Sequence, residues 1–169
     1  MAGGDWNMLS FKTAVATLVV PGIACLLIPY FILRATGDTL SLPTNLVQLV
    51  AILIFILGLY LVVWVSVAFV RIGQGTPIPI EPPTRLVIVG PYRYLRNPMY
   101  TGALLMVLAD ALYFGSWWIV LYAAGLWAIL HAFLVLLEEP QLQRRFGSEY
   151  ENYLKTAPRW IPRLSKSGI

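Results

Sequence analysis

The chain has 169 residues, 59% of them hydrophobic and only 12% charged, with a net charge of +4. Soluble domains carry roughly 25% charged residues. Half that share cannot cover a water-facing surface, so the composition excludes an ordinary soluble globule and points to lipid as the solvent. One cysteine, Cys25, excludes an internal disulfide, and one cysteine with one histidine excludes a zinc site of the usual His/Cys type. The basic residues flank apolar runs, which reads as orientation in a membrane rather than as a nucleic-acid surface.

Four apolar runs predict four transmembrane helices. The first covers residues 13–33 and should be kinked at Pro21, Gly22 and Pro29, because each proline removes a backbone donor. It is too long for a signal-peptide h-region, so a cleaved leader is not expected. The second, residues 46–70, is long enough to cross a ~30 Å hydrocarbon core with some tilt. The third runs over residues 98–114 and opens on Pro98, where a missing N–H costs nothing. The fourth covers residues 117–137. Only Gly115 and Ser116 separate the last two, which predicts a tight antiparallel hairpin with Phe114, Trp117 and Trp118 in an interfacial aromatic belt.

Between the second and third runs lies a long loop whose Thr76-Pro77-Ile78-Pro79-Ile80-Glu81-Pro82-Pro83 stretch is stiff and cannot be helical. After Glu138, Leu142, Phe146, Tyr150, Tyr153 and Leu154 recur at helical spacing, predicting an amphipathic tail helix on the membrane surface or against the bundle, interrupted at Gly147. With four spans, the amino terminus, the loop and the tail share one side, and nearly all the basic residues lie there. The positive-inside rule makes that side cytoplasmic. The fold expected is therefore all-α: a single-domain, polytopic membrane helical bundle over residues 1–169, with a C-terminal helical hairpin.

Polar groups inside a membrane are costly and mark candidate sites. The third helix carries Asp110, either a structural hydrogen bond or part of a polar path. His131 and Glu138 are seven residues apart, two α-helical turns, so an uninterrupted helix puts them on one face roughly 10 Å apart. Glu138 and Glu139 end the predicted fourth helix, at the unfavourable end of its dipole. Their simplest role is a charged helix end; the alternative is to bind a sulfonium or an ammonium. The loop ends in Gly90-Pro91-Tyr92-Arg93-Tyr94-Leu95-Arg96-Asn97-Pro98-Met99-Tyr100. Arginines interleaved with aromatic rings anchor a chain at an interface, or offer a carboxylate clamp and stacking faces for an adenine. Gly73-Gln74-Gly75 lacks the third glycine and the preceding strand of a dinucleotide fingerprint.

This last stretch followed by Gly102, together with Glu138-Glu139, Leu142, Phe146-Gly147, Tyr150, Tyr153 and Pro158-Arg159-Trp160-Ile161-Pro162, resembles the integral-membrane family of isoprenylcysteine carboxyl methyltransferases and phospholipid methyltransferases. The resemblance covers residues 76–162. It implies S-adenosylmethionine as cofactor, held on the cytoplasmic side by Thr84, Arg85, Leu86, Val87, Tyr92, Asn97, Pro98, Met99, Tyr100 and Glu138. It also implies a lipophilic methyl acceptor (carboxylate, amine or thiol) drawn from the membrane lipids. For an amine acceptor, His131 and Glu139 are the candidate bases, while Arg93 and Arg96 would steer an anionic head group. Asn97 stands where the family often has histidine, and an amide carries no proton charge. Leu134 stands where the isoprenylcysteine enzymes have an arginine for the substrate carboxylate. Two other readings compete: a small transporter using Asp110 and His131, although no internal repeat of the usual transporter kind is present, and a silent, lipid-binding relative.

Overall fold

A computed structural model describes residues 19–38, 42–73 and 86–162. Thr84, Arg85, the proline-rich stretch and the Gly73-Gln74-Gly75 triplet beyond Gly73 lie outside the described residues. Helices α1 (Val19–Thr36), α2 (Leu46–Ala68) and α4 (Trp117–Phe146) are each long and apolar enough to cross a membrane. Helix α3 (Pro98–Phe114) is shorter, and α5 (Ser148–Thr156) forms the tail. The described residues contain no strand, and the protein is an all-helical integral membrane protein.

The three long helices point apolar side chains outward; Leu53 is 66% and Ile129 69% exposed. In water such surface would drive aggregation, whereas lipid tails solvate it. Helix α3 differs: more than half of its residues are buried, Val107 and Met106 among them. Its 17 residues reach about 26 Å, just short of the hydrocarbon thickness. It packs centrally in the bundle, with Leu108 and Leu112 left exposed on one side. Its core contacts come from every long helix: Cys25 and Leu33 of α1, Val62 and Val65 of α2, Ile119 and Ala123 of α4.

Small residues set the closest approach. A Cβ on Gly58 would lie 2.5 Å from the Gly102 carbonyl oxygen, and one on Gly102 would lie 2.7 Å from that of Gly58. Helices α2 and α3 therefore touch backbone to backbone, the arrangement small residues permit in membranes. The α3–α4 hairpin turns where the sequence predicts it. Gly115 takes φ 62°, left-handed, and the amides of Gly115 and Ser116 both donate to Ala111 O.

Of the three π turns among the described residues, two follow one rule, and the third, Phe69–Gly73 after α2, does not. In α1 the turn Ile23–Leu27 ends with the Ile28 amide donating to Ile23 O, just before Pro29. In α4 the turn Leu134–Glu138 ends with the Glu139 amide donating to Leu134 O, just before Pro140. Each proline lacks an N–H and its ring crowds the carbonyl a turn earlier; a wider turn makes room for it. In α1 the register also leaves Ala24 O facing a proline nitrogen. The Tyr122 hydroxyl of α4 donates to it at 2.7 Å, pinning the two helices together.

The π turn in α4 corrects two expectations. The fourth helix does not stop near Leu137 but continues through Pro140 to Phe146, so Glu138 and Glu139 sit within it rather than at its C-terminus. The extra residue also rotates everything beyond it by about 100° relative to uninterrupted α-helix. Glu138 therefore leaves the face that simple spacing would share with His131.

Candidate functional site

The site grows from the segment that enters α3. Gly90 takes φ 52° with its Cα packed on the Trp64 ring, so any side chain there would collide with the indole. It opens a short 3-10 turn, Gly90–Arg93, whose Pro91 carbonyl accepts the amides of Tyr94 and Leu95. This turn buries Leu95, leaves Arg93 exposed and presents Arg96 and Asn97 toward the tail. Asn97 stands at the N-cap of α3 without capping it. Its amide nitrogen donates instead to Arg159 O at 3.1 Å.

The tail clasps the same segment. Helix α5 packs Tyr150 and Tyr153 with Ala157 against Leu86, Ile88 and Tyr92. The tail helix thus covers the loop rather than lying free on the membrane. Tyr153 Oη donates to Tyr92 O at 2.8 Å, and the Arg96 amide donates to Pro158 O at 2.8 Å. Burial comes first among the causes that push the Tyr153 and Tyr92 phenols well above their ordinary pKa and Tyr150 up to about 12. At neutral pH all three are therefore O–H groups.

The two adjacent glutamates have different partners. Glu139 accepts from Arg96 Nη1 at 3.0 Å and, in a bidentate pair, from Arg159 Nε at 2.8 Å and Nη2 at 2.9 Å. These bonds hold Arg159 above its ordinary pKa. Glu138 accepts one bond, from Tyr100 Oη at 2.8 Å, and no described cation reaches it. Two buried side-chain atoms on the same segment have no hydrogen-bond partner, Arg96 Nε and Thr101 Oγ1.

His131 lies a little further into the bundle on α4. Its ring stacks on Trp127, with centroids 5.3 Å apart and planes 19° from parallel, and its Nδ1 accepts from Trp160 Nε1 at 3.2 Å. Leu134 is completely buried, so the position that would carry a carboxylate-binding arginine belongs to the packed core. Asp110 is half-buried, and no described residue donates to it.

The sequence-predicted residues divide accordingly. Tyr92, Arg96, Asn97, Tyr100, Glu138 and Glu139 converge on one region. Pro98 and Met99 turn into the core, and Val87 is buried. Arg93 stands apart. Sequence reasoning noticed Arg159 and Trp160 only as motif letters. Their partners, Glu139 and His131, lie 20 and 29 positions away, beyond any local spacing rule.

A family model described as phospholipid methyltransferase matches residues 46–149 of this chain, well over half of it. The chain belongs to the phospholipid methyltransferase family. The matched region holds α2, α3, α4, Arg96, Tyr100 and both glutamates. The Arg159 and Trp160 contacts lie beyond it. No curated protein sequence matches the chain. The arrangement offers one carboxylate paired with two guanidiniums and one that, among the described residues, accepts a single phenol.

Proposed function

We propose that this membrane methyltransferase binds S-adenosylmethionine between the 86–100 segment and α4, and methylates a lipophilic acceptor entering from the bilayer. The observation that carries this reading is the state of Glu138: a carboxylate among aromatic side chains that, among the described residues, is bonded by one phenol and met by no cation. A carboxylate taken out of water calls for a positive partner, and the cofactor brings a sulfonium and an ammonium. The orphaned donors Arg96 Nε and Thr101 Oγ1 fit a ligand rich in oxygen and nitrogen acceptors.

When bound, the cofactor supplies an electrophilic methyl group on sulfur. The protein's own residues bind, orient and exclude water. Glu138 holds the positive charge, and Tyr100 fixes the carboxylate's rotamer. Tyr92, a neutral O–H group, offers a ring and a donor. Leu86 and Val87 offer backbone to the adenosine, with Thr84 and Arg85 as further contacts of that wall. Asn97, Pro98 and Met99 shape the floor by holding the start of α3. Arg96 acts with Glu139 as a positioning pair, and the exposed Arg93 steers an anionic head group toward the opening. Holding reactants near attack distance in a dry site contributes several kcal/mol.

Glu139 is not the base in this reading, because two guanidiniums already occupy its two oxygens. The buried Leu134 disfavours a prenylcysteine carboxylate and favours an amine or thiol on a lipid. The excess of basic residues in the loop and tail supports an opening on the cytoplasmic side, by the positive-inside rule. The test is transfer of labelled methyl from S-adenosylmethionine into a membrane lipid extract by the purified protein. Label in a lipid fraction, lost in Glu138→Gln, is the result expected. Cofactor binding without label in any lipid fraction would refute a lipid acceptor.

A further inference from the structure

Trp160 does more than pack against His131. An indole N–H is a donor only, so the 3.2 Å contact with Nδ1 requires a lone pair on Nδ1. A ring turned over would put Cδ2, which has no lone pair, against the indole. In the neutral imidazole the proton must then sit on Nε2. Nε2 has no partner among the described residues and is not sealed from its surroundings. Trp127 clamps one face of the ring, and the Trp160 ring lies 6.3 Å from both His131 and Trp127. Two tryptophans thus flank a polar tip, with Trp127 45% exposed, and such amphipathic rings suit an approach from the membrane interface.

This arrangement cannot act as a general base without breaking the Trp160 bond, because its lone pair is already used. It can donate. From this geometry we infer that His131 is a specificity-determining donor whose tautomer is set by Trp160, and that Nε2–H binds a phosphodiester oxygen of the acceptor lipid. The inference rests on the reading under Proposed function for the identity of the acceptor, while the donor geometry stands independently of it. The phosphodiester follows from two observations: an N–H donor without a described partner beside a tryptophan pair, and a family model of phospholipid methyltransferases.

His131 is the only histidine in the chain, so protein labelled with ¹⁵N-histidine gives one imidazole signal set. Nitrogen spectra are recorded in maltoside micelles, then with dioleoylphosphatidylethanolamine, dioleoylglycerol or soluble glycerophosphoethanolamine added. The expected result is a proton on Nε2 alone, and an Nε2–H resonance that moves with the phospholipid but not with dioleoylglycerol. In Trp160→Phe, mixed tautomers should appear and the half-saturating lipid concentration should rise roughly three- to tenfold, the worth of one hydrogen bond. A proton on Nδ1 in the wild type, or an Nε2 signal that ignores the phospholipid or follows dioleoylglycerol equally, would overturn the inference. A response to the soluble phosphodiester alone would overturn its lipid part. The wild-type arms decide the question even if Trp160→Phe does not fold. Calorimetric binding of S-adenosylmethionine to the same samples reports separately on the proposed function.

Discussion

Glu138 and Glu139 are neighbours in the chain with different partners: Glu139 is bound by Arg96 and Arg159, whereas among the described residues Glu138 receives only the Tyr100 hydroxyl. The π turn that ends at Glu138 sets this division. It lets α4 pass Pro140 and turns one carboxylate toward the tail and the other toward α3.

Glu139→Gln should therefore be a stability mutation. It removes the charge that a bidentate arginine and a second guanidinium share, in a half-buried place. A loss of about 2 kcal/mol is expected. The tail over Ala157 to Pro162 should also become more accessible to protease. Thermal unfolding in detergent and limited proteolysis check this; wild-type stability with an unchanged digestion pattern would contradict the clasp.

Gly102→Ala should loosen the bundle. The new methyl would stand 2.7 Å from the Gly58 carbonyl, and overpacking of this kind costs about 1–3 kcal/mol. Cys25 reports the effect, because it is the only thiol in the chain, is fully buried and donates to Ala103 O at 3.6 Å. Wild-type protein should resist a membrane-permeant maleimide until it is unfolded, and Gly102→Ala should label faster. Equal labelling rates in the two would argue against backbone contact between α2 and α3.

The tail cluster predicts an alkaline limit. Burial raises Tyr150 from its ordinary value near 10 to about 12, so between these values the folded state holds a proton that the unfolded state releases. The folded-state pKa is the higher one, so this stability is complete below pH ~10 and is lost as pH rises toward 12. Melting curves across that window should fall, and fall less in Tyr150→Phe measured against its own neutral-pH value. Curves of equal slope for the two proteins would remove Tyr150 from the account.

Much of the fold was legible because the bilayer demands long apolar runs and leaves few alternatives. The third helix falls on its predicted span, and Gly115 turns the chain between the last two runs. The π turns were not legible. Pro29 and Pro140 are plain in the sequence, but whether a proline ends, kinks or widens a helix depends on what fills the freed space, such as the Tyr122 hydroxyl on Ala24 O. In the candidate site, the motif residues from Tyr92 to Tyr100 and the two glutamates were readable as chemistry. Their pairing was not, because Glu139 with Arg159 and His131 with Trp160 are tertiary contacts made by a tail that folds back. The roles differ most where spacing was trusted across Leu134–Glu138, the one place where α4 changes register.

The central claim is that Glu138 is a carboxylate awaiting the cofactor's positive charge. The direct measurement is calorimetric titration of S-adenosylmethionine into the detergent-purified protein, with Glu138→Gln and Glu139→Gln alongside. The account predicts binding to the wild type and at least tenfold weaker binding to Glu138→Gln, whose thermal stability stays near that of the wild type, while Glu139→Gln shows its main loss in stability. No binding to a folded wild type, or undiminished binding to Glu138→Gln, would contradict it.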